Sequence, residues 1–176
     1  MPSLLEFDPR CLIVLRQSLL AVMPEEGCAL LLGEVQPALL HSSQIGPSQP
    51  PISAMRVRFI WPCCNVWRPG MPGLLEPSIS DGQSSRLLPG SRKTRFAVDP
   101  REQLHAQRWA RKSHWQLLGS AHSHPSGEMR LSQLDRLWVV PPSLMVIVSG
   151  SGRIGAWWIE QDLSAEEPLI KSLGEW

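Results

Sequence analysis

A short stretch of the sequence holds three side chains that could bind one divalent metal ion. His122 and His124 stand two residues apart, so on an extended strand both imidazoles project from the same face. Asp135 follows His124 by eleven residues and can return to the same point if the intervening segment forms a loop. Two imidazoles and one carboxylate leave the fourth tetrahedral position of a zinc ion to water, which is typical of catalytic zinc sites.

Other features of the sequence allow a simpler interpretation. Ser132, with Asp135 three residues later, also has the pattern of a capping box at the start of a helix, which needs no metal. The four cysteines offer no CxxC pair that would close a structural zinc site, and the adjacent Cys63 and Cys64 predict ordinary thiols in a reducing compartment. A metal-binding protein without hydrolase activity therefore stays open at this point.

The complete pattern resembles a known motif. The stretch from Gly119 to Pro125, followed by Ser132 and Asp135, is similar to the JAMM motif of the MPN+ metalloproteases. That family also requires a glutamate far upstream, and the resemblance selects Glu26 rather than its neighbour Glu25. The residues that match the family's pattern there are Pro24, Glu26, Cys28, Leu30, Leu31 and Gly33, with Ala29 where glycine is common.

The resemblance implies a mononuclear zinc enzyme that hydrolyses peptide or isopeptide bonds with a metal-activated water. The implied zinc ligands are His122, His124 and Asp135. Glu26 would take the proton of the water and pass it to the leaving amine, and Ser132 would hydrogen-bond the oxyanion. By analogy with compact members of the family, the expected substrate is the C-terminus of a ubiquitin-like or sulfur-carrier protein.

The resemblance leaves two other functions open. The first is a catalytically silent MPN scaffold in a larger assembly, although such relatives lose motif residues and all five are present here. The second is a RadC-like protein, because the stretch from His122 to Gly127 also fits that family's His-x-His-Pro-Ser-Gly pattern. RadC-like proteins usually have asparagine between the histidines and proline before the motif serine, where this chain has Ser123 and Leu131.

The elements that position these residues are predicted from capping signals and periodicity. Asp-Pro pairs at 8–9 and 99–100 indicate two helix starts, and a third helix begins at Ser132. The predicted helices are 10–23, 100–112 and 132–140, and the predicted strands are 28–33, 38–41, 55–61, 95–98, 115–121, 144–148 and 153–159. Side chains expected to face inward from the first two helices include Leu15, Leu19, Val22, Leu104 and Ala110.

Length and composition predict one α/β domain over residues 1–176. The net charge of +1 gives no electrostatic reason to expect a nucleic-acid partner, and no apolar run approaches the roughly 20 residues that span a bilayer. The N-terminus lacks a signal-peptide pattern, so a cytoplasmic location is expected. The Pro-, Gly- and Ser-rich residues 69–93 predict a flexible insertion. With the resemblance, the expected fold is a single MPN (JAMM) domain, a curved mixed β-sheet flanked by helices; no oligomeric state is predicted.

Overall fold

The computed structural model describes residues 2, 4–37, 53–71, 90–127, 129–160 and 169–176. Within these residues, seven strands form one mixed sheet in the order β1-β3-β2-β4-β5-β6-β7, accompanied by three helices. The elements are β1 Leu4–Phe7, α1 Pro9–Leu20, β2 Cys28–Pro37, β3 Ser53–Cys63, α2 Pro100–Lys112, β4 Gln116–His124, α3 Gln133–Trp138, β5 Ser143–Ser149, β6 Ile154–Glu160 and β7 Leu169–Glu175. This architecture confirms the predicted α/β fold class.

Strand β4, which carries both histidines, is a central strand of the sheet. It pairs antiparallel with β2 and parallel with β5, so that His122 lies opposite Cys28 on one side and Ile147 on the other. Gly119 permits the close approach of β5, because a Cβ there would lie 1.8 Å from the carbonyl oxygen of Leu144. The strand extends beyond the predicted 115–121, and both histidines are therefore held by its backbone pairing.

Helix α1 starts where the Asp-Pro pair predicts, with Asp8 as its N-cap. It ends at Leu20 instead of residue 23, and Val22, expected to face inward, is 47% exposed. The reason lies in a long-range contact, since the carbonyl oxygen of Leu19 accepts a hydrogen bond from the Ser123 hydroxyl at 3.1 Å. This end of the helix is thus tied to β4, and the chain turns away from the helix axis.

Helix α2 has the predicted bounds, and Ala110 faces the core as predicted, but Leu104 does not. Leu104, expected to face inward, is 52% exposed. The buried face carries Ala106 and Ala110, whose small side chains let the helix pack against Leu30 and Leu32 of β2. Small alanine side chains, and not the larger Leu104, therefore form this contact with the core.

Residues 95–98, predicted to be a strand, do not form one. Their backbone groups bond instead to the side chain of Asn65 and to the loop after β3. Asn65 accepts from the N–H of Ala97 at 3.2 Å and donates to the carbonyl oxygen of Arg95 at 2.9 Å. The carbonyl oxygen of Ala97 accepts from the N–H of Val66 at 3.0 Å. A side chain thus takes the place that a neighbouring strand would have.

The two ends of the sheet differ from the sequence-based expectations. Strand β1, which the sequence analysis does not predict, pairs parallel with β3, and the C-terminal tail forms β7 beside β6. The predicted strand 38–41 and most of the predicted insertion 69–93 lie outside the described residues. None of the described helices has the length and apolar character needed to cross a membrane.

Candidate metal centre

Three side chains that the sequence singles out converge at the end of β4. Nε2 of His122 lies 2.9 Å from Nε2 of His124. Oδ1 of Asp135 lies 3.2 Å from His122 Nε2, and its Oδ2 lies 3.5 Å from His124 Nε2. In the described part of the chain, no other group of three or more His, Cys, Asp or Glu side chains lies close enough together to hold a metal ion.

The separations between the nearest nitrogen and carboxylate oxygen atoms of these three side chains fit a tetrahedral ion. With ligand bonds of about 2.0–2.1 Å, two ligand atoms of a tetrahedral zinc stand about 3.3 Å apart. The observed distances of 2.9, 3.2 and 3.5 Å lie on both sides of that value. Imidazole nitrogen and carboxylate oxygen are both zinc ligands, and three protein ligands leave one position open. The group can therefore hold a metal ion.

The protonation states of the group also suit metal binding. Burial lowers the pKa of His122 below its ordinary value, against the hydrogen bond to Asp135, which raises it. For Asp135, burial raises the pKa, but the hydrogen bonds with His122 and His124 outweigh this and hold the pKa well below its ordinary value. Neutral imidazole and ionised carboxylate are the forms that bind metal ions.

A capping box orients the Asp135 carboxylate. Ser132 is the N-cap of helix α3, and its Oγ accepts from the N–H of Asp135 at 3.1 Å. In return, Oδ2 of Asp135 accepts from the N–H of Ser132 at 2.7 Å. The capping box predicted from the sequence is confirmed, and it does not compete with metal binding, because the same carboxylate faces both histidines. The N-terminus of helix α3 therefore orients the Asp135 carboxylate toward the two histidines.

Replacement of Ser132 by alanine should therefore destabilise the fold measurably. Loss of an N-cap side chain costs about 0.5–2 kcal/mol of the free energy of unfolding. The matched control is Ser18→Ala, because the Ser18 hydroxyl donates to the Val14 carbonyl within helix α1 in an exposed hydrogen bond and caps nothing. Urea denaturation should show the loss for Ser132→Ala and a change within about 0.5 kcal/mol for the control. Equal effects of the two substitutions would contradict the capping role.

Glu26 lies in the loop between α1 and β2 and is only 6% exposed. Its N–H donates to the carbonyl oxygen of Arg92 at 2.6 Å, and its carbonyl oxygen accepts from Nδ2 of Asn65 at 3.0 Å. Burial raises the pKa of the Glu26 carboxyl to about 7, His124 acts to lower it and Asp135 to raise it. A carboxyl with a pKa near neutrality is suited to taking up and releasing protons at physiological pH.

Ser123, between the two histidines, ties the Glu26 loop to β4. Its Oγ accepts from the N–H of Gly27 at 2.8 Å, and its own N–H donates to the carbonyl oxygen of Gly27 at 2.9 Å. Gly27 has no room for a side chain, since a Cβ would lie 2.4 Å from the carbonyl oxygen of Leu19. The strand that carries two ligands thus also fixes the loop that carries Glu26.

Phe96 covers the buried face of the centre. Its ring stacks on the His122 ring with centroids 4.3 Å apart and planes inclined by 20°. Nδ1 of His122 is buried and has no hydrogen-bond partner among the described residues. When Nε2 of a neutral imidazole binds a metal, Nδ1 carries the ring proton, and here that N–H is enclosed by packing instead of being held by an acceptor. The sequence analysis assigned no role to Phe96, because only the folded chain brings it to His122.

Two hollows meet at the centre. The first has a volume of about 370 Å³ and contains four of the five motif residues in its wall, with His122 buried beneath it. The motif residues that line it are Glu26, His124, Ser132 and Asp135. The second hollow, of about 570 Å³, has a mainly apolar lining and shares Phe96 and Asp135 with the first. A substrate chain could therefore reach the metal ligands from solvent.

Comparison with known proteins bears on the family and the fold. The family model described as prokaryotic homologs of the JAB domain matches residues 9–160. The solution structure of protein DSY2949 from Desulfitobacterium hafniense has a TM-score of 0.62 at 21% identity, covering 96% of this chain and 89% of that chain. The solution structure of a protein from Salinibacter ruber (strain DSM 13855) has a TM-score of 0.49 at 22% identity, covering 94% and 96% respectively. No curated protein matches the chain.

The matched range spans most of the sequence, and the chain belongs to the JAB/MPN family, among its prokaryotic members. The family resemblance seen in the sequence is thereby confirmed. The likeness to protein DSY2949 shows a shared fold. The JAB family includes metallohydrolases as well as members without catalytic activity, so the function has to be argued from the centre itself.

Proposed function

We propose that this protein is a zinc-dependent peptidase or isopeptidase that acts at the C-terminus of a ubiquitin-like or sulfur-carrier protein. The observation that carries the proposal is the convergence of His122, His124 and Asp135 in the wall and floor of a cleft that Glu26 also lines. A metal site used only for structure would gain nothing from a buried carboxyl with a pKa near neutrality beside it.

Each residue of the centre has a distinct part in the proposed reaction. His122, His124 and Asp135 hold the zinc ion, which when bound supplies Lewis acidity and lowers the pKa of a bound water. Glu26 would accept a proton from the attacking water and pass it to the leaving amine, which its pKa of about 7 favours.

Ser132 supplies a hydroxyl donor in the proposed reaction. Its Oγ accepts from the N–H of Asp135, and that bond does not use the hydroxyl hydrogen. The hydroxyl also hydrogen-bonds the Asp135 carboxylate, whose pKa this bond lowers, and it would turn from that carboxylate to donate to the oxyanion that develops on the attacked carbonyl. Ser132 and Glu26 both line the cleft, which supports these two proposed roles. No cysteine is required as a nucleophile, in keeping with the burial that raises the pKa of Cys28 to about 12.

The proposal is tested with a defined substrate. Zinc-loaded protein is incubated with a ubiquitin-fold carrier protein whose C-terminal Gly-Gly is extended by a short peptide. The masses of the products are then measured by mass spectrometry. We expect cleavage after the second glycine, and no cleavage after zinc is removed with a chelator. The matched control substrate carries Ala-Ala in place of Gly-Gly, and slower cleavage of it would indicate that the C-terminus is recognised.

The outcomes separate the proposed activity from its proposed substrate. Zinc-dependent cleavage of unrelated unfolded peptides, with the carrier protein left intact, would retain the hydrolase and overturn the substrate. A zinc-loaded, folded protein that cleaves neither kind of substrate would contradict the hydrolase and favour the catalytically silent scaffold.

A further inference from the structure

Asn65, the only asparagine of the sequence, lies in the loop after β3 and connects two segments beside the metal centre. Its Nδ2 donates to the carbonyl oxygens of Glu26 at 3.0 Å and of Arg95 at 2.9 Å. Its Oδ1 accepts from the N–H groups of Trp67 at 3.1 Å and of Ala97 at 3.2 Å. A side-chain amide has two donor hydrogens and two acceptor lone pairs, so these four bonds use its full capacity.

Residues 92–97, the segment that Asn65 holds, contact the candidate metal centre at two points. The carbonyl oxygen of Arg92 accepts from the N–H of Glu26, and the Phe96 ring stacks on the ring of His122. The segment forms no strand in the described structure, so no ladder of backbone bonds fixes it relative to Glu26. The amide of Asn65, with four hydrogen bonds, is therefore a side chain that joins the Glu26 loop to the wall over His122.

We propose that Asn65 is a positioning residue of the centre, which holds Glu26 and Phe96 at fixed places relative to the metal-binding histidines. Asn65 acts only through backbone groups and touches neither metal ligands nor reacting atoms in this arrangement. The structural part of this proposal depends only on the observed hydrogen bonds of Asn65. The catalytic part rests on the proposed function. A hydrolytic base needs such support, because displacement of a reacting group by about 1 Å can cost about 100-fold in rate.

The substitution Asn65→Asp distinguishes the donor function of the Asn65 side chain from its acceptor function. Aspartate has the same shape and keeps an oxygen that accepts from Trp67 and Ala97. It replaces the donating NH₂ by a second oxygen, which faces the carbonyl oxygens of Glu26 and Arg95 and cannot donate to them. The variant thus removes the bonds to Glu26 and Arg95 while preserving the local turn. Asn65→Ser, which retains a single hydroxyl donor, should give a smaller effect of the same kind.

The first test is amide hydrogen exchange followed by NMR, and it needs no substrate. In Asn65→Asp, the N–H group of Glu26 should exchange at least about tenfold faster than in the unmodified chain, while the N–H group of Ile147 in β5 stays unchanged. The control variant is Glu102→Gln, which alters a bond to the Trp61 indole elsewhere in the fold and should leave the Glu26 amide unaffected. Unchanged exchange at Glu26 would overturn the proposal, and so would an equal increase at Ile147, which would indicate general destabilisation.

The second test uses the Gly-Gly-extended carrier protein described above. For Asn65→Asp we expect one zinc per chain, an unchanged KM and a kcat lowered by about 10- to 100-fold. A raised KM with an unchanged kcat would overturn the positioning role in catalysis, as would loss of zinc. If the unmodified chain cleaves no substrate, the proposed function fails, while the exchange measurement still decides whether Asn65 holds the Glu26 loop.

Discussion

Replacement of Glu26 by glutamine is expected to abolish hydrolysis and leave zinc binding intact. Glutamine keeps the size of the side chain and the backbone bonds to Arg92 and Asn65, but it cannot accept the proton of the water. General acid/base catalysis contributes typically 10²- to 10⁴-fold, so kcat on the Gly-Gly-extended carrier should fall by at least about 100-fold. Zinc content by elemental analysis should stay at one per chain, because Glu26 is not one of the three converging ligands.

The neighbouring residue provides a matched control for this prediction. The side chain of Glu25 is 46% exposed and forms a loose ion pair with Arg92 at 3.9 Å. An exposed pair of this kind contributes little to stability, and its carboxylate is solvated. Glu25→Gln should therefore retain the kcat of the unmodified chain. Equal losses in the two variants, or a loss only in Glu25→Gln, would show that the wrong glutamate has been chosen.

Replacement of Asp135 by asparagine is expected to remove most of the zinc affinity. The amide keeps an oxygen that can accept from the Ser132 N–H, so the capping box is retained, but the negative charge between the two histidines is lost. Loss of a partner behind a metal ligand typically costs 10- to 100-fold in affinity, and loss of a ligand charge should exceed about 100-fold. Competition with a chromophoric chelator measures the change.

Asp99→Asn is the control for the Asp135 substitution. Asp99 caps helix α2 by accepting from the N–H of Arg101 at 2.8 Å, and it belongs to no metal-binding group within the described residues. It therefore repeats the chemical change at a helix N-cap without touching the centre. Zinc affinity should be unchanged in this variant. An Asp135→Asn protein that binds zinc as tightly as the Asp99→Asn protein would exclude Asp135 as a ligand.

The convergence of the three candidate metal ligands could be predicted from the sequence because its geometry is local. His122 and His124 share a face of one strand, and Asp135 stands at the third position of a helix whose N-cap is visible in the sequence. Period-2 alternation and capping therefore predict most of the relative placement of the three side chains. The only assumption was that the loop between His124 and Asp135 brings the carboxylate back to the histidines, and in the structure it does.

The surroundings of Glu26 could not be predicted, because they depend on contacts between distant parts of the chain. Ser123 bonds to Gly27 across 96 residues and Asn65 bonds to Glu26 across 39 residues. Neither bond leaves a local pattern such as periodicity or a cap. The resemblance to the JAMM motif pointed to Glu26, but the bonds that hold it in place are properties of the folded chain.

The errors in the predicted elements have the same origin. Residues 95–98 alternate as a strand does, yet their backbone bonds go to Asn65 and the loop after β3. Helix α1 ends early because Ser123 takes the carbonyl of Leu19, and α2 turns Leu104 outward because alanines form its contact with β2. In each case tertiary contacts outweigh the local preference that the sequence shows.

Zinc K-edge X-ray absorption of the loaded protein tests the central claim most directly. The claim is that His122, His124 and Asp135 hold one zinc ion, and it predicts one zinc per chain with a first shell of nitrogen and oxygen at about 2.0–2.1 Å, including the scattering of two imidazoles. The chain also has four cysteines, all free thiols in the structure. A sulfur ligand at about 2.3 Å would contradict the claim, since it would place the metal on cysteine instead of the JAMM residues.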